Sequence, residues 1–141
     1  MTTKTRSEKD KEQDAERNKA VDLFEQIAQA QDREFEDVTI PEWGGATVRV
    51  VALSGIARDA MDREAWELVQ AGKEGDHLHN IRARNLSHSV VHPETGRRIF
   101  DTPDKVKALG EKNSSVLARL HAIHDRLNKT IVDAEAEGKN S

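Results

Sequence analysis

Apolar residues first become periodic at Ala20. Ala20, Val21, Phe24, Ile27 and Ala28, with Gln31 next in step, recur at three- and four-residue spacings, which is one face of a helix. The pattern predicts a helix that starts between Asp14 and Asn18, ends near Asp32 and carries a narrow apolar stripe. The period then shortens. Phe35, Val38 and Ile40 sit near a strand, with Asp37 and Thr39 on its other face, and Val48, Val50 and Ala52 alternate with Thr47, Arg49 and Val51. Between them lies Pro41-Glu42-Trp43-Gly44-Gly45, where proline ends ladder donation and two glycines supply the positive φ of a tight turn. Residues 35–52 therefore read as a β-hairpin. A two-stranded hairpin is marginal alone, so it should lean on helices.

After the hairpin the helical period returns. Ser54 is placed to cap a helix. Ile56, Ala57, Ala60, Met61, Glu64, Ala65, Leu68 and Val69 follow its face to about Ala71, where Gly72 and Gly75 stop it. Leu78, Ile81, Arg82, Asn85, Leu86, Ser89 and Val90 predict a third helix from about Asp76. His92-Pro93-Glu94-Thr95-Gly96 reads as a turn, followed by a short extended piece from Arg97 to Phe100. Thr102 and Pro103 mark a short helix, as cap and first helical residue, that ends at Gly110. Val116, Leu117, Leu120, Ile123, His124 and Leu127 form the clearest stripe in the chain. The fold class is thus α+β and mainly α-helical, with four to five helices and one small hairpin packed on them.

Length and composition add the domain plan. The 141 residues fit one domain. Hydrophobic residues are 35% and charged residues 34%, so the core is small and part of the chain lies outside it. Residues 1–19 interleave both signs of charge with almost nothing apolar. They read as a disordered arm, because they cannot bury enough surface to offset the entropy of ordering. Residues 20–132 form the single domain, and 133–141 a polar tail.

Charge and residue chemistry mostly exclude functions. A formal net charge of -4 gives no broad cationic field for nucleic acid or an anionic membrane. Arg82, Arg84, Arg97 and Arg98 are the only support for a nucleic-acid-binding regulator. There is no cysteine, which fits a reducing compartment. No apolar segment resembles a signal peptide or approaches the ~20 residues of a membrane span. The expected location is cytoplasmic.

The six histidines include pairs at helical spacing, His88 with His92 and His121 with His124. No carboxylate motif of the HExxH kind accompanies them, and Pro93 ends any helix at His92. They read as partly exposed polar-face residues, with no metal or other cofactor expected. No nucleophile motif, P-loop or dinucleotide fingerprint occurs, so the sequence makes no case for an enzyme.

The order of elements is more specific than any one of them. A charged N-terminal helix precedes an acidic strand ending Ile40-Pro41-Glu42-Trp43-Gly44-Gly45. Val48-Arg49-Val50 then runs into Leu53-Ser54-Gly55-Ile56-Ala57-Arg58-Asp59. Downstream, Ala83 to Val90 leads into Pro93-Glu94-Thr95-Gly96-Arg97-Arg98-Ile99-Phe100, then the short helix Pro103 to Leu109 and a helix ending Arg126-Leu127-Asn128. From Phe24 to Asn128 the chain resembles the tail assembly chaperones of long-tailed bacteriophages. It departs from them in its longer, more charged first 19 residues, and after Asn128 it is only loosely similar.

The resemblance implies a non-catalytic assembly factor. Members bind the tape measure protein, keep it soluble while the tail tube polymerises, bring in tail tube protein and leave before the tail is complete. The implied location is the host cytoplasm, not the mature virion. The alternative is a structural virion component such as a head–tail connector or minor tail protein. A homo-oligomer fits as well, because a thin core gains from a partner subunit.

Six residues are candidates for partner binding: Phe24, Ile27, Trp43, Trp66, Val116 and Leu120. For Trp43 and Trp66, packing that closes the hairpin onto the helices is favoured over exposure as an anchor. The Val116 stripe reads more readily as core. The Val21-Phe24-Ile27 stripe fits core and partner surface equally.

Overall fold

The computed structural model describes residues 2–129. The tail expected over 133–141 lies outside the described residues. The chain divides into two units, Met1–Asp32 and Arg33–Ser141.

The first unit is one helix, α1, Thr2–Gln29. It starts well before the expected 14–18, and the stretch read as a disordered arm continues it. Residues 4–19 contain neither glycine nor proline and are rich in Lys, Glu, Gln, Arg and Ala, which cost little in a helix. Extending an existing helix adds one hydrogen bond per residue fixed, so it needs no core of its own.

The second unit holds a three-stranded antiparallel sheet in the order β1 (Phe35–Ile40), β2 (Ala46–Val51), β3 (Val90–Val91). Around it come α2 (Gly55–Gln70), α3 (Glu74–Leu78), α4 (Ile81–Ser89), α5 (Pro103–Gly110) and α6 (Ser114–Leu127). Six helices among the described residues and one small sheet make the fold mainly α with a β-hairpin, as the sequence predicts.

The β1–β2 turn is closed by Gly44 N–H donating to Pro41 O and Gly45 N–H donating to Ile40 O, each at 3.1 Å. Both glycines take positive φ, 67° and 78°, which a residue with a Cβ adopts only with strain. On the outer face the register sets Asp37 opposite Arg49 and Thr39 opposite Thr47. Arg49 Nε donates to Asp37 at 2.7 Å, the threonine hydroxyls meet at 2.8 Å, and the Arg49 guanidinium stacks 3.9 Å from the Phe35 ring. These are cross-strand pairs of the kind that fix register.

The other face carries the core. Ile40, Val48, Val50 and Val90 from the strands meet Ala83 and Leu86 of α4, Leu109 of α5, and Val116, Leu117 and Leu120 of α6. Glu36 and Glu42 reach from the hairpin to Arg126 (2.7 Å) and Arg119 of α6. The helix ends follow local chemistry. Ser54 Oγ accepts from Ala57 N–H at 3.2 Å and Thr102 Oγ1 from Lys105 N–H at 3.3 Å, both as predicted.

The third predicted helix is instead two, α3 and α4. Asn80 breaks them with φ 60°, a left-handed conformation that asparagine tolerates better than most residues. The last turn of that stretch, Val90–Val91, is drawn out into β3 because it pairs with Arg49 and Val50 of β2.

Candidate functional site

The six partner-binding candidates separate by burial. Val116 and Leu120 are each 1% exposed and sit at the centre of the core. They have no surface to offer a partner, which corrects that reading. Their stripe faces the sheet, as the strongly periodic spacing of α6 requires. Trp43, whose placement the sequence left open, is half-buried and packs against the core from the β1–β2 turn. Proline before it and two glycines after it bend the chain so that the indole folds back onto the helices.

Trp66, Phe24 and Ile27 are different. Trp66 is 62% exposed, Phe24 69% and Ile27 64%. The favoured packing role therefore holds for Trp43 and fails for Trp66. The reason lies in α2, none of whose residues is buried. Ala57, Met61, Ala65, Leu68 and Val69 are half-buried along one stripe, and Trp66 and Ile56 each lie one residue, about 100°, away from it. Ile56, which the sequence placed on the stripe, is exposed, as is Leu78 of α3. This second unit thus leaves Phe35, beneath the Arg49 guanidinium, and Ile56, Trp66 and Leu78 as exposed large apolar side chains. The first unit leaves Val21, Leu23, Phe24 and Ile27 so.

Several charged groups in the second unit pair with one another. Glu64 of α2 accepts from Arg84 at 2.9 Å and bonds His88 Nε2 at 3.0 Å. Burial works against the charge on Glu64, but the bonds from His88 and Arg84 outweigh it and hold the carboxyl below the usual carboxylate range. Of the four arginines that suggested nucleic acid, Arg84 is held here. Arg98 donates to the Ser87 carbonyl at 2.8 Å. Among the described residues no three His, Asp or Glu side chains converge in a geometry that holds a metal ion. No helix among them is long and apolar enough to cross a membrane.

One histidine departs from the expected exposed placement. His124 of α6 is buried, with Nδ1 2.8 Å from Ser89 Oγ. Desolvation, aided by nearby His121, pushes its pKa down to about 4, so at neutral pH the ring is uncharged. Ser89 gives the sequence signal: a small hydroxyl at a buried position is the partner a buried imidazole needs.

No protein-family model matches the chain, and no curated protein matches it. Among solved structures, its fold is similar to that of the bacteriophage HK97 tail assembly chaperone, with a TM-score of 0.48 and 19% sequence identity. The match covers 78% of this chain and 97% of that one.

Proposed function

We propose that this chain is a tail assembly chaperone of a long-tailed phage. In this reading it is a non-catalytic protein that binds the tape measure protein, and tail tube subunits, in the host cytoplasm and is absent from the finished virion. The reading starts from the ordered residue motifs between Phe24 and Asn128. The observation that carries it further is Trp66, a large aromatic 62% exposed on a helix with no buried residue. Covering such a side chain is worth roughly 1.5–3 kcal/mol, which is the energy a client's apolar helix face would supply. Ile56 and Leu78 in the same unit are further exposed apolar groups, and α1 by itself offers Phe24 and Ile27. Helix faces of this kind recognise amphipathic helices through anchors three and four residues apart.

The test is co-expression with the tape measure protein of the same genome. The expected outcome is a soluble complex of the two chains and an aggregated tape measure protein without this one. Equal insolubility in both conditions, with no complex captured, would overturn the reading. Mass spectrometry of purified particles adds an independent check. Stoichiometric presence in the virion would favour a structural component over a chaperone.

A further inference from the structure

A cleft of about 590 Å³ opens between α4 and the segment from Arg98 through α5, within the second unit. Its size is that of a small-ligand or short-peptide site. Phe100 and Val106 contribute apolar surface; both are half-buried and packed against the core. The walls carry three cations, Arg84, Arg98 and Lys107, and three carboxylates, Glu64, Asp76 and Asp101, but their pairing is uneven. The carboxylate of Glu64 is taken up by Arg84 and His88, and that of Asp101 by Lys105 at 2.9 Å. Arg98 hydrogen-bonds neutral acceptors, the carbonyls of Ser87 and Phe100 and the Ser87 hydroxyl, and its charge also helps to hold Asp101 ionised. Lys107 makes no ion pair among the described residues. Against these two cations stands one further lining carboxylate, Asp76.

We propose that this cleft binds a short peptide segment in which a carboxylate lies next to an apolar side chain. The carboxylate pairs with Arg98 and Lys107, and the apolar group rests on Phe100 and Val106. Arg98 is suited to the task because its bonds to backbone carbonyls fix the guanidinium plane before a ligand arrives, and a planar fork set in advance loses little freedom on binding. A free inorganic anion fits less well, because it makes no use of the apolar floor. The proposal stands apart from the chaperone reading, since it rests on the chemistry of the cleft and not on Trp66 or α1.

The experiment is an NMR titration of the full-length, ¹⁵N-labelled protein. The probe is the capped tetrapeptide acetyl-Leu-Asp-Leu-Glu-amide, with its Asn/Gln and its all-lysine counterparts as controls. Saturable shifts of the Arg98, Phe100, Val106 and Lys107 amides with the acidic peptide alone are expected. Lys107→Glu, at an exposed position with no ion pair among the described residues, should weaken binding about threefold or more, and Lys107→Arg should retain it. Absence of shifts in the cleft, equal binding of the Asn/Gln peptide, or preference for the lysine peptide would each overturn the proposal.

Discussion

The side chain of Asn80 occupies the space that a Cβ on Gly110 would need. Asn80 stands in the left-handed conformation between α3 and α4, and its Nδ2 donates to Val106 O of α5 at 3.3 Å. Gly110 is the last residue of α5. The two positions thus set how closely α5 approaches the start of α4, and through it the width of the cleft that both helices line.

Gly110→Ala should destabilise the protein by about 1–2 kcal/mol, because the added methyl displaces the Asn80 side chain and breaks its bond to Val106 O. Asn80→Gly keeps the positive φ at no strain and removes the obstacle. In that background Gly110→Ala should cost little. Urea denaturation of the two single variants and the double variant checks this. A coupling near zero would show that the approach of the two residues does not matter.

Asn128, just beyond α6, ties that helix to the start of α2. Its Oδ1 accepts from Leu53 N–H at 2.6 Å, and its Nδ2 donates to Val51 O at 3.2 Å and His124 O at 3.0 Å. Asn128→Ala removes all three and should cost roughly 2 kcal/mol. Asn128→Asp keeps the acceptor for Leu53 but sets a carboxylate against two carbonyls, so it should recover little of the loss. Thermal melts of both variants at pH 7 are the measurement.

Features set by neighbours in sequence were legible, and those set by neighbours in space were not. The turn at Pro41 to Gly45 and the caps at Ser54 and Thr102 follow from residues within five positions of each other, and the α6 stripe from a local repeat of three and four. The ties made by Asn128 and Gly110 span separations of 75 and 30 residues, and nothing local marks them. The extended α1 is hidden for another reason. Its charged segment lacks core-forming residues, and its helix draws on backbone propensity instead. Trp66 shows the limit for binding surfaces. Its offset from the α2 stripe was visible in the sequence, but exposure depends on whether another element covers it.

The buried His124–Ser89 pair makes stability depend on pH. In the unfolded chain the imidazole titrates near 6.5, and in the folded protein near 4. Between those values the unfolded state binds more protons, so stability is at its full value above about pH 6.5 and falls as the pH drops toward 4. The loss should reach about 2 kcal/mol at pH 5 and roughly 3 at pH 4. The charged and titratable neighbours are His121, Asp125, Arg58 and His88, of which only Asp125 favours the protonated ring. Denaturant midpoints measured from pH 7.5 to 4.5 should trace this fall. His124→Gln should flatten the part of the curve above pH 5, where carboxylates contribute least. An unchanged slope in that variant would remove His124 as the cause.

The exposed apolar side chains separate client binding from folding. Trp66→Ser in the second unit and the pair Phe24→Ser, Ile27→Ser on α1 remove groups that lie mostly in solvent, so each should shift stability by no more than about 0.5 kcal/mol. Truncating a true anchor costs about 2 kcal/mol or more of binding energy, a loss of thirtyfold or greater in affinity. Co-expression of each variant with the tape measure protein should then leave that client aggregated, while the variant itself remains folded by circular dichroism. The two variants also divide the surface. If the client is lost only with Trp66→Ser, the α2 face carries recognition, and if only with the α1 pair, the helical arm does. Full retention of client solubility by both variants would mean that neither exposed patch is the binding surface, whatever the chain's role in assembly.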